Sequence, residues 1–144
     1  VRPHLHLNED SVIEVTNGEI AGSIESLGLL SRMKWPVLVG LQVQKLVVKL
    51  REPAQIIDDV YNGLVDKYGD KQESGETAVI FPGDFQHRPV SAGHIQFLAD
   101  RKLLMAQTVQ VDADKIRLPL EIDGKPLQIE PTILIALEKL LIVE

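Results

Sequence analysis

Cysteine is absent from this 144-residue chain. That removes disulfides, thiolate nucleophiles, zinc–cysteine sites and iron–sulfur clusters from consideration together. A basic excess is missing as well: 15 lysines and arginines stand against 21 acidic residues, a formal net charge of -6. Phosphate binding is driven by a basic surface, so DNA and RNA are not expected as partners. No apolar run approaches the roughly 18 residues that a membrane-spanning helix needs. The opening VRPHLHLNED has no basic-then-apolar pattern of a signal peptide. A soluble, cytoplasmic protein without a membrane partner is therefore expected. G-x-S-x-G, G-x-x-x-x-G-K and G-x-G-x-x-G are all absent, so serine-hydrolase, nucleotide-triphosphatase and dinucleotide-binding readings lack their motifs.

What is present suits a globule. Hydrophobic residues make up 44% and charged residues 25%, enough apolar surface to avoid disorder. With no linker-like tract, the simplest organisation is one domain over 1–144.

Several segments carry a local signal. Ser11 to Thr16 and Glu19 to Ile24 flank Asn17-Gly18, a dipeptide that suits a two-residue hairpin, because both positions tolerate positive φ. In that register Ile13, Val15, Ile20 and Ile24 gather on one face, which should meet the core. Residues 27–34 are apolar without clean periodicity, and Trp35 before Pro36 is biased to an extended or turn conformation. The branched run VLVGLQVQKLVVKL, residues 37–50, reads as one long strand or two joined near Gly40. Residues 53–68 show a helical pattern in which Ile56, Ile57, Val60, Leu64 and Tyr68 share a face, with Pro53 in the first turn and Gly69 at the stop. TAVIFPG, 103–111 and 116–122 read as strands. Asp123-Gly124 predicts a second tight hairpin that sets Leu120 opposite Leu127 and Leu118 opposite Ile129. The tail from Pro131 reads as a helix over 132–142, apolar almost all round and so buried or between subunits. The fold class these segments predict is α+β and β-rich, an antiparallel sheet curled toward a barrel, with two packed helices near 53–68 and 132–142.

His4 and His6 lie two apart. On a strand both rings would point the same way and could meet one divalent transition metal; two solvated polar residues on a strand are the other reading. A third ligand has to come from His87 or His94, with Glu9, Asp10 and Asp84 as oxygen donors. The acids Asp58, Asp59 and Asp66 read as the wet side of the helix.

His4 to Gly18, as H-x-H, four residues, Ser11, six residues, Gly18, resembles the first cupin motif, and Gly75 to Pro89, GETAVIFPGDFQHRP, resembles the second. The resemblance implies a β-barrel with a small-molecule pocket and a metal held by His4, His6 and His87. Ser11 stands where cupins ordinarily carry a glutamate, which implies weak binding or an open position, with Glu9 as the substitute ligand. Gly83 to Gly93, GDFQHRPVSAG, is similar to a signature of hot-dog-fold acyl dehydratases, with Asp84 where that family has its catalytic histidine. The two expected functions are thus a cupin-like, metal-dependent small-molecule pocket, and a non-catalytic interaction or assembly module forming a homo-oligomer. In the second, the apolar tail or its neighbouring strand provides the contact of a dimer.

Overall fold

The structure, a computed structural model, describes residues 12–143. It contains four helices and four pairs of short strands. Strand β1 (Val12–Thr16) runs directly into helix α1 (Asn17–Ser31), and the long helix α2 (Val37–Tyr68) follows. Next come β2 (Asp70–Lys71), β3 (Thr77–Ala78), α3 (His94–Ala106), β4 (Thr108–Asp112) and β5 (Ile116–Leu118). The chain ends in β6 (Glu121–Ile122), β7 (Lys125–Pro126), α4 (Pro131–Ala136) and β8 (Leu141–Val143). Each sheet among the described residues has two strands. The expected β-rich barrel is therefore corrected to a helix-dominated α+β fold with no closed sheet.

The Asn17-Gly18 hairpin is replaced by a helix start, and the reason is chemical. Thr16 Oγ1 accepts from the Glu19 N–H at 3.1 Å while Glu19 Oε1 accepts from the Thr16 N–H at 2.8 Å, a reciprocal capping box. Two donors that a helix start would otherwise leave unpaired are satisfied at once, and the hairpin has no comparable gain. β1 finds its partner far along the chain in β4, with Ile13 opposite Val111 and Val15 opposite Val109. Ile13, Val15 and Ile20 do enter the core, whereas Ile24 stays 42% exposed on α1.

Residues 37–50, expected as strand, form the first half of a helix that continues unbroken to Tyr68. Branched residues lower helix propensity only slightly, and burial of one face outweighs that. Val43, Leu46, Leu50 and Ile57 recur at helical spacing and are buried against α1 and β5. Pro53, expected at a helix start, lies inside α2. Having no N–H, it leaves the Lys49 carbonyl without its partner four residues on. Of the expected helix face, Ile57 is buried, but Ile56 and Val60 are 55% and 45% exposed. Gly69 caps the end of the helix, and only glycine fits there: a Cβ would lie 2.6 Å from the Val65 carbonyl oxygen and 2.8 Å from that of Ala78.

The strand expected over 103–111 divides between the end of α3 and β4. The Asp123-Gly124 turn forms as expected, with Ile122 opposite Lys125 and a 2.8 Å bond from the Leu127 N–H to the Leu120 carbonyl. Leu118 does not face Ile129. It pairs with Val143, because β5 lies parallel to β8. The tail is thus a short helix with Pro131 in its first turn, then a strand. Leu137, Leu140 and Leu141 are buried within the chain's own core, with Ile116 and Leu118 beneath them. Of the two roles expected for the tail, buried or between subunits, most of its apolar surface takes the first.

A candidate interaction trough along α2

α2 has a second apolar face. Leu38, Leu41 and Val48, with Lys45 between them, follow helical spacing on the side away from Val43, Leu46 and Leu50. Leu38 is 73% exposed and Val48 57%. This face forms one wall of a trough of about 800 Å³ whose other wall is the turn Asp112-Ala113-Asp114 after β4. Lys49 and Asp112 also line a second hollow of about 410 Å³, which continues past Pro53 and Ile56 beside Val109 and Gln110. Lys45 and Lys49 stand on the helix side and Asp112 and Asp114 on the strand side. No ion pair joins them among the described residues. The trough is therefore an apolar strip rimmed by both signs of charge.

The residues singled out in the sequence fall elsewhere. His4, His6, Glu9, Asp10 and Ser11 lie outside the described residues. His87 is exposed, at positive φ (53°), in a turn closed by its own N–H to the Asp84 carbonyl at 3.0 Å. Asp84 accepts from Arg88 three times, from the backbone N–H, Nε and Nη2, each at 3.0 Å. The guanidinium first, and the backbone N–H second, hold its carboxyl down at about 2. A carboxylate so engaged is a poor proton acceptor near neutral pH, which removes the dehydratase-like role from this position. His94 contacts the Ser91 carbonyl through Nδ1 at 2.9 Å and meets Phe81 edge-on, as a packed residue does.

Among the described residues no group of three or more His, Asp or Glu side chains is placed to hold a metal. With the barrel also absent, the metal-binding reading is corrected for this part of the chain. Nor does any buried side-chain nitrogen or oxygen among the described residues lack a hydrogen bond. Ser23 donates to the Ile20 carbonyl, and Ser91 accepts from the Ile80 N–H. An unpaired buried polar group would be a mark of chemistry held ready; here the two buried serines serve the backbone. Among the described residues no helix is long and apolar enough to cross a membrane.

No protein-family model matches the chain, and no curated protein or solved structure matches it. The cupin and dehydratase resemblances rest on their short motifs alone.

The sequence reading missed Leu38, Leu41 and Val48 as surface residues, because it took their segment for a strand. The lysines gave no signal, because Lys45 and Lys49, four apart, share a face in a strand as well as in a helix.

Proposed function

We propose that the chain is a non-catalytic assembly module that pairs with a second copy of itself through the outer face of α2. The observation that carries this reading is the second apolar face of the helix, Leu38, Leu41 and Val48, left uncovered beside a rim of both charges. Large exposed apolar patches mark interfaces more often than they occur idle. The choice of a second copy follows from the rim. A two-fold contact brings one patch against itself, so a patch of a single charge sign repels its copy. Lys45 and Lys49 beside Asp112 and Asp114 give the rim both signs of charge, so the patch does not repel its own copy.

Sedimentation velocity at micromolar concentration tests it. The native chain is expected to sediment as a dimer, and Leu41→Glu combined with Val48→Glu as a monomer with unchanged circular dichroism. A native monomer overturns the reading, as does a double variant that remains dimeric.

A further inference from the structure

Strand β4 supplies a register for that pairing, and the inference rests on the self-pairing reading above. In the β1–β4 ladder the Asn17 N–H donates to the Gln107 carbonyl at 2.8 Å, directly beyond the pair Thr16–Thr108. Hydrogen-bonded and non-bonded pairs alternate along an antiparallel ladder, so 15/109 and 13/111 are the bonded pairs. The N–H and C=O groups of Thr108, Gln110 and Asp112 consequently point away from β1. Their side chains are exposed, and no further hydrogen bond engages them among the described residues. Free edges are commonly blunted by charged side chains, proline or a bulge. TVQVD has no proline, pairs with β1 without interruption, and carries its one charge, Asp112, at the end of the strand.

We propose that β4 pairs antiparallel with β4 of a second copy about a two-fold axis through Gln110, joining two β1–β4 ribbons into one four-stranded sheet. Gln110 then opposes its own counterpart, and Thr108 opposes Asp112 of the second copy. All three outward-facing residues occupy hydrogen-bonding positions in this register. Moving the axis by one residue to Val109 or Val111 takes one of them past the end of the strand. On the core face Val109, half-buried in the single chain, comes opposite Val111 of the second copy, so an apolar row continues across the axis. The edge lies beside the hollow lined by Pro53 and Ile56 of α2. This is strand addition between identical partners.

The chain has no cysteine, so Gln110→Cys introduces a single thiol. Opposed residues at a hydrogen-bonded pair have Cα atoms about 5.5 Å apart, inside the range of roughly 4.4–6.8 Å that a disulfide spans. Oxidised with diamide at micromolar concentration, this variant is expected to run mainly as a covalent dimer on a non-reducing gel. Glu14→Cys, on β1, is expected to stay mainly monomeric there. In the unaltered chain the Gln110 and Asp112 amides are expected to exchange with deuterium at least tenfold more slowly at dimeric than at monomeric concentration. A chain that sediments as a dimer, yet shows no Gln110→Cys cross-link and no amide protection, overturns this register while self-pairing stands. A chain that sediments as a monomer overturns both.

Discussion

The Tyr68 hydroxyl donates a 2.6 Å hydrogen bond to the Asp100 carboxylate, and this contact ties the last turn of α2 to the middle of α3. Gly93 fits the same joint. A Cβ there would lie 2.7 Å from the Tyr68 ring, so the loop before α3 closes on the tyrosine only because the residue is glycine. The Tyr68 bond, then a bond from Gln96, and then the charge of Lys67 hold the Asp100 carboxyl below the usual range. A depressed carboxyl pKa contributes stability above the unfolded value, about pH 4, and that contribution fades as pH falls through the folded value. Tyr68→Phe is expected to lower the melting temperature at pH 7 and to lose most of that deficit by pH 2. Melting curves for the two proteins that stay parallel from pH 7 to pH 2 would refute the coupling.

Asp84 gives a second acid-sensitive contact in a different place. Its carboxyl sits at about 2, so the turn that displays His87 is held by Arg88 at every pH above about 4 and released toward pH 2. Asp84→Asn keeps the shape and removes the charge. The variant is expected to leave the fold intact while narrowing the chemical-shift dispersion of residues 83–88 at pH 7. Between pH 4 and pH 2 those resonances should move in the wild type and stay still in the variant. Titration of the loop in both would place the effect elsewhere.

The capping box at the β1–α1 junction can be probed by Thr16→Ala. Losing a threonine N-cap costs about 1 kcal/mol. Here both halves of the box fail together, because Glu19 then reaches back to a turn that its own N–H no longer holds. Glu19 keeps Lys139 as a partner at 2.9 Å, so the tail stays attached. Denaturant midpoints are the measurement, and an unchanged midpoint would mean that β4 pairing alone sets the start of α1.

On α2 the two sides of one turn should behave oppositely. Ile57 is 3% exposed and belongs to the core, so Ile57→Ala is expected to cost about 2–4 kcal/mol. Val60 is 45% exposed, and Val60→Ala is expected to cost under about 0.5 kcal/mol. Equal losses in chemical denaturation would mean that the helix is rotated about its axis from the orientation described.

These contrasts show how far local pattern carries in this chain. Ile13, Val15, Ile20 and Ile57 are legible as core residues because apolar side chains at regular spacing are buried in either a strand or a helix. The Asp123-Gly124 turn is legible because positive φ at both positions is a local requirement, and the structure shows it at both. Asn17-Gly18 makes the same local offer and is overruled by Glu19, one residue further on. Residues 37–50 are ambiguous by their nature. A run of valines and leucines suits a strand until the partner is known, and the partners here are α1 and β5, distant in sequence. The pairing of β5 with β8 has no local mark, since a parallel pair is made across an intervening connection. Of the residues expected at a metal site, Asp84 on the turn of His87 is engaged by Arg88, His94 is packed against Phe81, and His4, His6, Glu9 and Asp10 lie outside the described residues. The trough escaped notice because a surface is defined by what fails to cover it, and that depends on the whole fold.

For the tail the sequence allows two roles, core or interface, and two substitutions two residues apart separate them. Leu137 is fully buried, and its N–H bonds the Ile133 carbonyl at 3.1 Å. Ile135, on the same short stretch, is 73% exposed. A tail that served as the interface would have both side chains facing a partner, and a glutamate at either would separate the copies while leaving each folded. A tail that serves as core makes the two positions unequal. Leu137→Glu places a charge without a partner among Ile116, Leu118 and Leu140, a burial costing several kcal/mol. It is expected to abolish the cooperative thermal transition. Ile135→Glu is expected to melt within a few degrees of wild type and to keep the wild-type sedimentation coefficient. If Ile135→Glu instead dissociates a dimer, the contact between copies runs over α4, and the outer face of α2 is not its centre.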